Sequence, residues 1–436
     1  MRRPASLRFE RLETRLTPAA MVSFVGGHLR VIGDNLDNLI AIGQSGGQVG
    51  VSVTTSGKTV NYGPYAVTGT IYVDGSNGND TINLSITDTF NGSIGLAGGL
   101  GNDSISVAAA GVNSSINGTL RVDANVGNDI VNVVGGANGR LRTADVFIAG
   151  AVGTDTVNLQ NVDVQGRFIG TGTDSVAIGT DLSRTLIAPT GVSGQVVVNN
   201  ASEVATGRFV AAGGSRLGSL VYTGAAGADR VELAGAGSEG PAADILGNAV
   251  IVLNAGANSV LVSESGISGS LTVTGGSGAD SVTFQFGSTV AGAANLVLGD
   301  GANVIASDSD VLFAGNLTAT LGNGADSVGT VAIPFAATVA GTFQINGGNG
   351  DNVVNFDGLL SGGFTYVGGG GNDNVTVTGV YSGRLNASLG AGNDTFTFGS
   401  AATRFDGGGI LDFGPGDDVY NPPGVPVDWP LTIIGL

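Results

Sequence analysis

The chain has 436 residues, of which 78 are Gly and 11 Pro, with no Cys and a single His. Collagen is excluded because no three-residue Gly period with Pro runs through it, and a hydrophobic content of 42% excludes a disordered low-complexity chain. Without Cys there are no disulfides or zinc–thiolate sites. The formal net charge of −18, from 29 Asp and 6 Glu against 16 Arg and one Lys, opposes nucleic acid and anionic membranes and favours divalent cations as partners.

Residues 1–25 read as a basic leader, with Arg at positions 2, 3, 8, 11 and 15 and no apolar core of the secretory kind. No span of the sequence approaches a transmembrane helix. The run from Phe9 to Ala19 (FERLETRLTPA) resembles the LE-x-R N-terminal segment of large repetitive surface or secreted proteins of planctomycete-like bacteria, with Thr14 where Pro is more usual. That resemblance implies export and an extracellular or cell-surface location. His28 precedes the repeats and reads as a surface or cap residue.

From residue 75 to residue 420 one phrase recurs: Gly, two variable residues, Gly, a small residue, Asp, a polar residue, an apolar one. Asp fills the sixth position at Asp80, Asp103, Asp129, Asp155, Asp174, Asp229, Asp280, Asp326, Asp373, Asp394 and Asp418, and Asn fills it at Asn258, Asn303 and Asn352. Spacings of 19 to 29 residues, and one of 55 that hides a degenerate copy near Glu203, average about 24. After each Asp, apolar residues stand two apart, as in Ile82/Leu84, Ile105/Val107, Val231/Leu233 and Phe396/Phe398. This is the period of a half-buried strand, and a second, shorter strand precedes each Gly turn, as in Leu120–Val122 and Leu271–Val273.

Turn, strand, turn, strand in about 24 residues predicts one rung of a parallel β-solenoid, an all-β fold in which rungs bury their inward side chains only by stacking. The expected organisation is a single solenoid over residues 30–420, about 15 coils and roughly 70 Å long at the spacing between strands. Residues 421–436, with Pro422, Pro423, Pro426 and Pro430, are expected to form a Pro-rich cap or tail.

Gly98–Ser106, Gly275–Thr283 and Gly368–Thr376 fit the nonapeptide G-G-x-G-x-D-x-U-x completely, U being a large apolar residue. This resembles the calcium-binding repeat of the haemolysin-type (repeats-in-toxin) family, in which Gly carbonyls and the Asp of stacked turns hold calcium. The resemblance implies calcium as cofactor and the eleven Asp of the phrase as its ligands. It departs from that family in one respect: copies stand singly among about 15 unrelated residues instead of in tandem. Without a cation, stacked Asp place like charges about 5 Å apart, to be relieved by screening, protonation or metal. A metal-free ladder of Asp and Asn turns is the alternative.

Enzymatic chemistry has few candidates. Asp308 and Asp310, expected to share a strand face, could serve a carbohydrate-active β-helix enzyme of the polysaccharide lyase or hydrolase type, and Arg140, Arg142 and Asp145 form a second mixed-charge cluster. Aromatic residues make up only 6% of the chain, few for a glycan cleft. The sequence therefore predicts a secreted or cell-surface structural or adhesive solenoid, not an enzyme. Its expected partners are calcium, surface glycans or extracellular matrix proteins.

Overall fold

Alternating Val, Ile and Thr place every second side chain on one side of an extended strand, and that side must be buried. The computed structural model describes residues 20–136, 139–178, 190–200, 206–234, 243–424, 427 and 429–436, and no helix occurs among the described residues. Parallel strands stack coil on coil into a β-solenoid of about 14 turns, with coils of about 24 residues. Of the leader expected over residues 1–25, residues 1–19, with the Arg-rich run and the Phe9–Ala19 segment, lie outside the described residues, whereas Met21–Val25 is a strand.

The first strands are antiparallel, a feature the repeat pattern does not announce. β1 (Met21–Val25) pairs with β2 (His28–Ile32), and β3 (Asn38–Ser45), β4 (Gln48–Thr55) and β5 (Lys58–Tyr65) form a meander. β2 then lies parallel to β6 (Ile71–Asn77), and β3 parallel to β7 (Thr81–Ile86). The outermost strand, β5, carries Lys58 and Pro64, residues that discourage further pairing at an edge.

Each coil has three sides where the sequence predicted two strands. β6 and β7 are followed by β8 (Thr89–Phe90), and the next coil repeats the order with β9 (Ile94–Leu100), β10 (Ser104–Ala109) and β11 (Ser115–Ile116). β6 pairs in parallel with β9, β7 with β10, and β8 with β11. Two residues are too few to display an alternation, which is why the third side was missed.

Inward residues form unbroken columns. On the second side Ile82, Ile105, Val131, Val157 and Val176 lie opposite one another in successive coils, and the column continues through Phe209, Val231, Val260, Val282 and Ile305 to Phe396. None of these is more than 1% exposed. In the later coils aromatic rings fill the core, Phe356 stacking on Phe364 and Tyr381 at centroid distances of 5.9 and 5.7 Å. Past the prolines, Leu431–Ile434 pairs in parallel with Gly409–Asp412 and adds another strand to the ladder.

Register also locates the degenerate copy. Arg208 lies opposite Ser175 and Arg230, so Gly207 occupies the slot of Asp174 and Asp229. Glu203, where the sequence placed it, lies outside the described residues.

Ile105, fully buried in the column, should lose about 2–5 kcal/mol when replaced by Ala. Its outward neighbour Ser106 should change stability by less than about 0.5 kcal/mol on the same replacement. Urea denaturation of both variants checks this, and equal effects would overturn the inward assignment.

Candidate functional site: the Asp corner ladder

At the bend between the first and second sides the backbone leaves the strand, yet its N–H groups still point along the stack. Asp and Asn have the reach to meet them. Asp80 donates its N–H to Oδ1 of Asp103 at 2.7 Å, Asp103 to Oδ1 of Asp129 at 2.7 Å, and Asp129 to Oδ1 of Asp155 at 3.0 Å. The series continues from Asp155 to Asp174, and beyond Gly207 from Asp229 through Asn258, Asp280, Asn303, Asp326 and Asn352 to Asp373, Asp394 and Asp418. Carbonyls of the same residues accept from the following coil, Ser104 N–H reaching Asp80 at 2.8 Å and Ile130 N–H reaching Asp103 at 2.9 Å.

The sequence brought the right residues together, but their side chains point inward. Asp80, Asp103, Asp129, Asp155, Asp174, Asp229, Asp280, Asp326, Asp373 and Asp394 are all no more than 5% exposed, and only Asp418 is half-buried. Inward Asp side chains explain the glycines of the motif. A Cβ on Gly98, five residues before Asp103, would collide with Oδ2 of that Asp, and Gly75, Gly275 and Gly368 stand in the same relation to Asp80, Asp280 and Asp373. Gly101, two residues before Asp103, has φ +128° and packs its α-carbon on the Gly78 carbonyl of the preceding coil.

The second carboxylate oxygen has no such partner. Oδ2 of Asp80, Asp103, Asp129, Asp155, Asp229, Asp280, Asp326 and Asp394 is buried without a hydrogen bond. Burial pushes the Asp103 carboxyl up to about 7, with Asp129, Asp80 and Asp37 adding repulsion against the lowering effect of the Asp80 N–H. Burial likewise raises Asp155 to about 7 and Asp80 and Asp229 to about 6, and it raises Asp129, Asp280, Asp326, Asp373 and Asp394 above the ordinary carboxyl range. Asp373 differs in one contact, because the Tyr366 hydroxyl donates to its Oδ2 at 2.7 Å.

The Asn copies show what surrounds that second position. Asn303 Nδ2 donates to the Gly299 and Leu321 carbonyls at 2.9 and 3.0 Å, and Asn352 Nδ2 to the Gly350 carbonyl at 3.0 Å. The position is lined by acceptors, so it takes a donor.

Calcium needs six to eight converging oxygens. Here one oxygen of each ladder side chain is committed to an N–H, Asn copies aim N–H groups at the carbonyls, and among the described residues no three His, Asp or Glu converge. These donors do not fit a calcium ion within the ladder. A second ladder, which sequence reasoning missed, runs one residue earlier on the exposed side: Asn79 Oδ1 accepts from Asn102 N–H, Asn102 Oδ1 from Asn128 N–H and Asn128 Oδ1 from Thr154 N–H, each at 2.8 Å. The recurrence of Asn before Asp was its signal.

The enzymatic candidates separate. Asp308 and Asp310 occupy an exposed turn after the strand Val304–Ser307, not a strand face as expected. Arg142 pairs with Asp163, and Asp145 with Arg167, both at 3.7 Å between an exposed Arg and a half-buried Asp, so Arg140, Arg142 and Asp145 form no single cluster. His28 is exposed on β2, its Nδ1 2.8 Å from the Thr70 hydroxyl. The sequence matches no family model and no curated protein.

Gly98→Ala should cost about 1–3 kcal/mol, because its Cβ meets a buried carboxylate. Gly95→Ala, whose Cβ would meet only the movable Tyr72 ring, should cost little. Chemical denaturation of the two variants makes the comparison, and equal losses would remove the packing explanation of the motif.

Proposed function

We propose that the protein works as a structural rod, an exported scaffold that holds its ends apart and presents long polar faces, with no catalytic step. The observation that supports this most is continuity: one hydrophobic core runs through the stacked coils, and the corner ladder, interrupted where Gly207 lacks a side chain, resumes with the Gly207 N–H on Asp229 Oδ1 at 2.7 Å. The outer face suits contact with polar surroundings. Thr81, Asn83 and Ser85 on one coil lie beside Ser104 and Ser106 on the next, a grid of hydroxyls and amides at the spacing of strands. Export and a surface location follow from the resemblance of the leader; surface glycans or matrix proteins are the partners that a neutral polar grid suits.

The ladder's role in this reading is internal, holding corners without a metal. A calcium-braced rod would instead gain stability from the ion by mass action. An enzyme of acidic glycans remains the competing class, with Asp308 and Asp310 as its carboxylates.

Deleting residues 294–316, one coil by the register of Ala294 with Leu317, removes both Asp308 and Asp310 at once. The expected product is a folded rod shortened by about 4.8 Å, measured by small-angle scattering. Wild-type cleavage of an acidic glycan that this deletion abolishes in a folded product would overturn the scaffold reading.

A further inference from the structure

We propose that the inward ladder acids whose second oxygen has no partner, Asp103 and Asp155 foremost, stand as neutral carboxylic acids in the folded rod and donate a proton from that oxygen to a backbone carbonyl, so that acid tightens the solenoid and alkali loosens it. This concerns the chemical state of the ladder and does not depend on the scaffold role.

Geometry carries it in three steps. First, the ladder residues are interchangeable between Asp and Asn in a fixed hydrogen-bond pattern: Asn258 and Asn303 accept a backbone N–H through Oδ1 as Asp103 and Asp129 do. Second, the Asn amide fills the remaining position as a donor to carbonyls, as Asn303 does to Leu321. Third, the Asp copies bring an oxygen to that position. Space beside Gly75 is shared by Asp80 Oδ2 and the Gly98 carbonyl, and beside Gly275 by Asp280 Oδ2 and the Leu298 carbonyl, the counterpart by register of Leu321. A buried anionic oxygen that borders the same space as a carbonyl and has no donor of its own is disfavoured unless it carries a proton.

No compensating cation is at hand. The charges that act most on Asp103 are Asp129, Asp80 and Asp37, and those on Asp155 are Asp129 and Asp174, all acids. Among the described residues every ion pair of Arg goes to Asp123, Asp163, Asp145, Glu232 or Asp406, none to a ladder acid. The proton is taken up from solvent on folding and sits on the oxygen that accepts no N–H. The other oxygen keeps its bond from the neighbouring coil.

The sign follows from the raised carboxyls. A group that titrates at 3.8 when unfolded and about 7 when folded contributes fully below 3.8, and its contribution is lost as pH climbs through 7.

The test is the melting temperature of the full chain between about pH 5 and about pH 8.5, first in chelator and then in calcium. Wild type should lose several degrees across this range in both media. Asp103→Asn, in which an amide replaces the acid, should hold its melting temperature at the alkaline end and flatten the dependence. Asn258→Asp is the reciprocal variant and should steepen it, so the proposal stays testable if the first variant misfolds. A carboxylic C=O stretch in the infrared at neutral pH, weakened by Asp103→Asn, is the direct sign of the proton. A wild-type melting temperature that is flat or rises with pH, or an Asn258→Asp slope like wild type, would overturn the proposal. So would an alkaline loss that calcium restores in wild type but not in Asp103→Asn, since an ion would then occupy the place assigned to the proton.

Discussion

Buried backbone groups must be paired, and a solenoid meets that demand easily along its strands and with difficulty at its corners. At the bend after the first side, the N–H of the corner residue points towards the next coil but lies beyond the regular ladder. An inward Asp or Asn one coil away supplies the missing acceptor. Much else in the repeat serves that bond: Gly at the position facing Oδ2, Gly with positive φ at the bend, and an apolar residue two places later that starts the buried column. Glu, longer by a methylene, would overreach the same N–H, which accounts for Asp or Asn, and never Glu, at the fourteen copies of the phrase.

The same bond divides the acids into two populations. Asp123, Asp145, Asp163 and Asp406 stand at the surface and pair with Arg, an arrangement worth little in water. Most ladder acids are inside, and burial raises the carboxyls of Asp80, Asp103, Asp129, Asp155, Asp229, Asp280, Asp326, Asp373 and Asp394.

Architecture was legible because stacking repeats one chemical sentence: Ile82, Ile105 and Val131 could be aligned from spacing alone. The eleven Asp and three Asn were found for the same reason. Orientation was not legible. A G-G-x-G-x-D phrase is compatible with an Asp turned outward to an ion or inward to an N–H, and the burial of Asp103, its Oδ1 bond and the collision awaiting a Cβ at Gly98 distinguish them. Short or non-repeating parts were hidden too: Thr89–Phe90 is too brief for a period, and the antiparallel strands from Met21 to Tyr65 lack the corner phrase. Asp308 and Asp310 were misplaced because an i, i+2 pair looks like a strand face until the strand is seen to end at Ser307.

Gly207 marks where the ladder changes character. Before it come five consecutive acids, Asp80, Asp103, Asp129, Asp155 and Asp174; after it Asp and Asn alternate as far as Asp373. In the first stretch each acid has another one coil away, about 4.8 Å along the stack, and ladder neighbours contribute to the raised carboxyls of both Asp103 and Asp155. In the second, an intervening Asn doubles the separation to about 10 Å, which halves the Coulomb energy even before screening. Burial is the only raising influence at Asp280, as it also is at Asp129 in the first stretch, while at Asp229 the ladder acid Asp280 adds a smaller one. Asn in alternate coils thus keeps the corner bond while setting the acids further apart, and burial, the largest raising influence in both stretches, is what the two share.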